Sequence, residues 1–193
     1  PLWLPLNVEK LGVDFLTLDA QKILGPKGIG LLFARRGIPF DPIIFGGGQE
    51  KGKRSGTENV ALAGAFAVAL SEAQEKVEER VRIISQVRNY TLEEIKKRIP
   101  NVILNGPSTS LGTICSTRIA NNLNISIPGL NGEMAVIALS TLGIATSTRS
   151  ACDTQDEEPS HVLRAMHTSP ERAKGAIRIT LLPNATTRDA KRI

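Results

Sequence analysis

The chain has 193 residues, 41% of them hydrophobic and 22% charged, and a formal net charge of +5. That is enough to bury a core as one domain or as two small lobes, and no apolar run approaches the length that crosses a bilayer. The basic residues are interleaved with acids, and only one Tyr and one Trp are present for base stacking, a composition that argues against a nucleic-acid partner.

In chain order, residues 14–19 (DFLTLD) alternate as a strand does, and the turn signal Gly25-Pro26-Lys27-Gly28 leads into an apolar run at 29–34 (IGLLFA), a second strand. A glycine-rich polar segment, 46–56 (GGGQEKGKRSG), precedes a helical pattern from about Thr57. Val77, Val81, Ile84, Val87, Thr91, Ile95 and Ile99 then recur at helical spacing, with Glu72/Lys76, Glu78/Arg82 and Glu93/Lys97 on the solvent side. Pro100 ends that helix, or a pair of helices. Strands are expected at 101–104, 113–119, 123–127, 144–147 and 176–180. Between them come a helix at 133–142 stopped by Gly143, a polar loop at 148–158, and a helix from Pro159 to His167. The order fits an α/β or α+β protein with a lobe boundary near residue 76.

Several residues could carry chemistry. Lys22 follows a strand and precedes a glycine turn, where α/β folds bind ligands, and a partly desolvated lysine there can condense with a carbonyl. On position alone, an exposed and solvated lysine is the commoner reading. Gly47 to Lys53 spells GxxxxGK, but Arg54 stands where a nucleotide-binding loop needs Ser or Thr, which leaves only a general anion-binding loop. Ser55 or Thr57 can cap the following helix. The two cysteines, Cys115 and Cys152, allow neither a disulfide framework nor a zinc cluster, so no metal is expected and the cytoplasm is the default compartment. Residues 1–10 show no signal-peptide pattern.

Cys152 lies in the polar loop between Arg149 and four acids, with opposing influences on its thiolate. Arg178 interrupts an apolar strand and needs a partner. A structural ion pair is the commoner explanation and a ligand carboxylate the other. His161 and His167 read as surface or packing residues.

Four stretches together resemble the NifS-like cysteine desulfurases of the class V aminotransferase family. They are residues 14–30 (DFLTLDAQKILGPKGIG), residues 46–60 (GGGQEKGKRSGTENV), Ser150-Ala151-Cys152 followed by residues 158–165 (EPSHVLRA), and residues 176–181 (AIRITL). The resemblance implies an aspartate-aminotransferase-type fold. Residues 1–76 would be the end of the large pyridoxal-phosphate-binding domain, and 77–193 the smaller α+β C-terminal domain. It implies pyridoxal 5′-phosphate bound covalently by Lys22, with Asp19 and Gln21 beside it and Thr57 reaching the cofactor phosphate of the other subunit. It further implies Arg178 on the substrate carboxylate and Cys152 as the mobile-loop nucleophile. The reaction would take sulfur from L-cysteine, release L-alanine and leave a persulfide on Cys152. The enzyme would be a cytoplasmic homodimer serving a sulfur acceptor or iron–sulfur scaffold protein.

Asp19 and Gln21 stand where the family commonly has Ser and His, Leu182 and Arg149 where it commonly has glycine. Only the C-terminal half of such an enzyme is matched, so the 193 residues alone are expected to bind cofactor poorly and to show little activity. A related class V enzyme, such as a selenocysteine lyase or an aminotransferase, and a non-catalytic scaffold are the alternatives.

Overall fold

The computed structural model describes residues 1–107, 118–149 and 160–193. The expected strand at 113–119 falls almost wholly outside them, and Arg118 and Ile119 are not in a strand. Cys115, Cys152 and Pro159 also lie outside the described residues. The chain divides into two compact units, Pro1–Val77 and Glu78–Ile193.

The first unit opens with a one-turn helix, α1 (Val8–Leu11), capped by Asn7 and ended by Gly12 in the left-handed region at φ 64°. Strand β1 (Phe15–Asp19) pairs antiparallel with β2 (Gly30–Ala34), Asp19 opposite Gly30. Arg35, just past β2, ties the hairpin to α1. Its guanidinium donates to the carbonyl of Val13 at 3.1 Å and to Glu9 Oε2 at 3.0 Å. Helix α2 (Val60–Glu75) presents Phe66, Ala69, Leu70 and Ala73 on one face. Those residues pack with Leu2, Ala20 and Ile23 to form the core of this unit. The cap of α2 is neither Ser55 nor Thr57 but Asn59, whose Oδ1 accepts from the Leu62 amide at 3.1 Å. Ser55 is instead buried, its hydroxyl donating to the Phe45 carbonyl at 3.0 Å.

The second unit begins within α3 (Val77–Arg98), which buries Ile84, Val87, Thr91, Leu92 and Ile95 along one stripe. On the solvent side the ion pairs run at i,i+3, Glu93 with Lys96 and Glu94 with Lys97, rather than Glu93 with Lys97. A three-stranded antiparallel sheet follows in the order β3 (Ile103–Leu104), β4 (Asn122–Ser126), β5 (Ala176–Thr180). Leu123 and Ile125 of β4 share one face with Ile177 and Ile179 of β5, and all four are buried. The opposite face carries Asn124 beside Arg178 and Ser126 beside Ala176.

Helix α4 (Gly132–Thr141) ends at Gly143, φ 75°, as the sequence predicts. The strand expected at 144–147 is reduced to a single bridge, Ser147 with Arg178, closed by hydrogen bonds of 3.1 and 2.6 Å. Among the described residues no ladder extends from it. The helix expected from Pro159 through His167 starts later and stops earlier, as α5 (His161–Ala165). His167, in the left-handed region at φ 55°, separates it from α6 (Pro170–Lys174), where Pro170 takes the first-turn place foreseen for Pro159. A short α7 (Thr187–Ala190) closes the chain. Among the described residues no helix is long and apolar enough to cross a membrane.

Candidate active site

Lys22 sits in a single 3-10 turn, Ala20–Ile23, immediately after β1. The turn forms because Asp19 caps it: Asp19 Oδ1 accepts from the Gln21 amide at 3.2 Å, satisfying a donor that a short turn would otherwise leave open. Asp19 Oδ2 also accepts from Gln21 Nε2 at 3.0 Å, so one carboxylate holds the residue before Lys22 at two points. Ala20 and Ile23 of the same turn are buried against α2, which leaves Lys22 on the exposed side. Its Nζ has no hydrogen bond or ion pair among the described residues. Leu24 ends the turn at φ 67°, an uncommon conformation for a branched side chain. Gly25 is required by contact: a Cβ there would stand 3.1 Å from Ala69 Cβ on α2 and 3.0 Å from the Ala20 carbonyl.

In the glycine-rich segment the amides of Gly52 and Lys53 donate to the carbonyls of Gly48 and Glu50, each at 3.1 Å. Glu50 (φ 49°), Lys51 (φ 57°) and Gly52 (φ 75°) are consecutive left-handed residues. Lys53 turns away from the loop, donating to the Phe40 carbonyl at 2.6 Å with its ammonium 4.6 Å above the Phe40 ring. That lysine is engaged by the fold. Thr57, between Gly56 (φ 103°) and α2, keeps an exposed hydroxyl with no hydrogen bond among the described residues.

In the second unit Arg178 stands at mid-strand in β5, with Asn124 of β4 opposite it on one side and Ser147 on the other. No ion pair reaches its guanidinium among the described residues, and its Nε is buried without a hydrogen-bond partner. Buried polar atoms are nearly always paired, and this one lacks an acceptor among the described residues. Arg149 pairs with Glu133 at 2.5 Å, which draws its charge onto α4. His161 and His167 are exposed.

A polar network next to Arg178 carries no motif that a sequence reading would catch. Asn105, 2% exposed, accepts from Arg172 Nε at 2.7 Å through Oδ1 and donates through Nδ2 to Asn124 Oδ1 at 2.7 Å and Ser126 Oγ at 2.8 Å. The buried Arg118 donates to the Pro107 carbonyl at 2.7 and 2.9 Å, and to that of Asn105. Burial lowers the pKa of Arg118. Arg88 is lowered as well, first by burial and then by the neighbouring Arg118 charge.

Comparison with known proteins identifies these strands and helices as part of an α/β fold of the aminotransferase type. A NifS-like protein from Rickettsia africae superposes with a TM-score of 0.81 at 31% identity, over 99% of this chain and 48% of that one. A second NifS-like protein gives a TM-score of 0.82 at 31% identity, over 98% and 47%. The family model for class-V aminotransferases matches residues 2–193. The chain belongs to that family.

Among curated relatives, the cysteine desulfurase IscS of Dictyoglomus turgidum is 42% identical over 178 residues, 92% of this chain and 43% of that protein. Cysteine desulfurase IscS 1 of Archaeoglobus fulgidus is 40% identical over 189 residues, 97% and 47% respectively. The chain spans less than half the length of these relatives.

Proposed function

We propose that this chain is the C-terminal part of a pyridoxal-phosphate-dependent cysteine desulfurase, residues 1–76 completing a cofactor-binding domain and 77–193 forming the small domain. The observation that carries the reading is the buried, partnerless Nε of Arg178, an arginine in need of an anion, in a chain whose curated relatives are cysteine desulfurases. The donor set fits the cofactor. Lys22 is a primary amine with no competing partner, and Gln21 and Thr57 supply an amide and a hydroxyl. Asp19 offers only acceptor atoms, so its part is to cap the turn and hold Gln21.

Pyridoxal phosphate, when bound, supplies an electron sink for the pair left by the substrate's Cα–H bond. Lys22 Nζ is the amine that would hold the cofactor, and the same amine would take the substrate's Cα proton. Arg178 holds the carboxylate of L-cysteine by a charge-assisted hydrogen bond. The Cys152 thiolate attacks the substrate sulfur, the new S–S bond forms as the Cβ–S bond breaks, and the carbon skeleton leaves as L-alanine after protonation. The outer sulfur of the Cys152 persulfide then passes to an acceptor thiol or an iron–sulfur scaffold protein. The working unit is a cytoplasmic homodimer in which Thr57 reaches the neighbouring subunit's cofactor phosphate.

The test is made on the intact protein that carries this chain. Wild type converts L-cysteine to L-alanine, and Cys152→Ala keeps the visible absorbance of bound cofactor while losing sulfur transfer. Undiminished L-cysteine turnover by Cys152→Ala would overturn the assignment in favour of a selenocysteine lyase or aminotransferase. Absence of cofactor trapped on Lys22 by borohydride would leave a non-catalytic scaffold. Residues 1–193 alone give no stoichiometric cofactor band.

A further inference from the structure

Asn124 and Arg178 are direct partners across the β4–β5 pairing. Side chains so placed share a face of the sheet with about 5 Å between their Cβ atoms. Asn124 could act on Arg178 in two opposite ways. With its amide oxygen presented, it would accept from the guanidinium and occupy it. With its NH2 presented, it could not pair with Arg178 at all, because arginine has no acceptor atom.

The network decides which. Arg172 is donor-only, and its Nε donates to Asn105 at 2.7 Å, so the atom facing it must be Oδ1. The other end of that amide, Nδ2, therefore faces β4, where it donates to Asn124 at 2.7 Å and to Ser126 Oγ at 2.8 Å. Asn124 accepts there with Oδ1, and its Nδ2 has no partner among the described residues. The polarity of one buried arginine contact thus passes through two amides. Arg178 Nε, across the same strand pairing, is likewise without an acceptor.

We propose that Arg172, acting through Asn105, turns Asn124 into a second hydrogen-bond donor beside Arg178, so that the two together bind the carboxylate of the amino-acid substrate. A carboxylate, with two oxygens, satisfies both. Arg172 and Asn105 are positioning residues, and Asn124 touches the ligand. The proposal rests on the reading that Arg178 binds a substrate carboxylate.

The experiment titrates the intact, cofactor-loaded protein with L-alanine and with L-alaninamide, which differs in lacking the carboxylate. The readout is the ratio of their dissociation constants. Arg172→Gln frees the amide relay to reverse, so that Asn124 can present its oxygen to Arg178. It is expected to weaken L-alanine by about tenfold, the loss of one hydrogen bond to a charged acceptor, and to leave the amide unchanged. Arg172→Lys, still donor-only, restores most of the affinity. Asn124→Leu gives the same selective loss and stands in if Arg172→Gln does not fold. Equal weakening of both ligands, or no rescue by lysine, makes Arg172 merely structural and overturns the proposal. If Arg178→Gln weakens L-alanine selectively while Arg172→Gln and Asn124→Leu do not, the proposal alone fails. If Arg178→Gln also leaves the ratio unchanged, the carboxylate reading fails with it.

Discussion

Asp19 grips Gln21 twice, through the backbone amide at 3.2 Å and the side-chain amide at 3.0 Å, and so sets the turn that carries Lys22. Asp19→Ala removes the cap and is expected to cost about 1 kcal/mol. Asp19→Ser keeps a capping oxygen and recovers most of it. Urea midpoints of the intact protein check the stability, and cofactor titration of the same samples checks the coupling to Lys22. If alanine and serine behave alike in both, Asp19 has no capping role.

Gly25 lets the same turn lie close against α2. In Gly25→Ala the new methyl would meet Ala69 Cβ at 3.1 Å and the Ala20 carbonyl at 3.0 Å, both tighter than ordinary contact. Overpacking of this kind costs about 1–3 kcal/mol. The double variant Gly25→Ala with Ala69→Gly relieves the contact with Ala69, and part of the loss should return on denaturation. Additive losses would mean that the two residues do not meet.

Arg88 is 1% exposed and donates to the Ile119 carbonyl at 3.1 Å and to Asn89 Oδ1 at 2.9 Å. Arg88→Met removes the fork, including its 3.5 Å bond to the carbonyl of the buried Ala120, at an expected cost of about 1–3 kcal/mol. Lysine should not substitute, because one ammonium cannot span both acceptors. Chemical denaturation distinguishes these outcomes, and a near-neutral Arg88→Met would show that the contacts contribute little.

Asp189 closes a capping box with Thr186, its Oδ2 accepting from the Thr186 hydroxyl at 2.7 Å and amide at 2.8 Å. Those bonds, the hydroxyl first, hold its pKa below the ordinary carboxylate value. A depressed folded-state pKa means that the cap stabilises α7 at neutral pH and loses its effect as pH falls through that value. Thr186→Val should raise the Asp189 pKa toward normal in a carboxyl NMR titration. An unchanged titration would show that the hydroxyl bond does not form in solution.

Periodicity made much of the fold legible. The stripe from Ile84 to Ile95, the alternation at β1 and the apolar run of β5 are local patterns, and the structure has those elements within a few residues. Misreadings arose where a distant contact overrides a local signal. The run at 144–147 has strand composition, yet only Ser147 finds a partner. Helix α2 takes its cap from Asn59, whose side chain reaches the Leu62 amide, and not from the serine and threonine nearer the glycines.

Arg178 stands out in the sequence because a charge inside an apolar strand conflicts with its surroundings, and Lys22 stands out only through the stretch 14–30 that contains it. Their condition does not. Whether Arg178 has a partner depends on the β4–β5 register, which sets Asn124 opposite it. It depends equally on Arg172 and Asn105, 67 residues apart in the chain, meeting at 2.7 Å. Strand register and hydrogen-bond polarity are set by contacts between remote segments, so no window of sequence contains them. For Lys22 the deciding contact is local, since Asp19 and Gln21 are its immediate neighbours. The tertiary structure adds only that Ala20 and Ile23 bury the other side of the turn and leave the amine exposed.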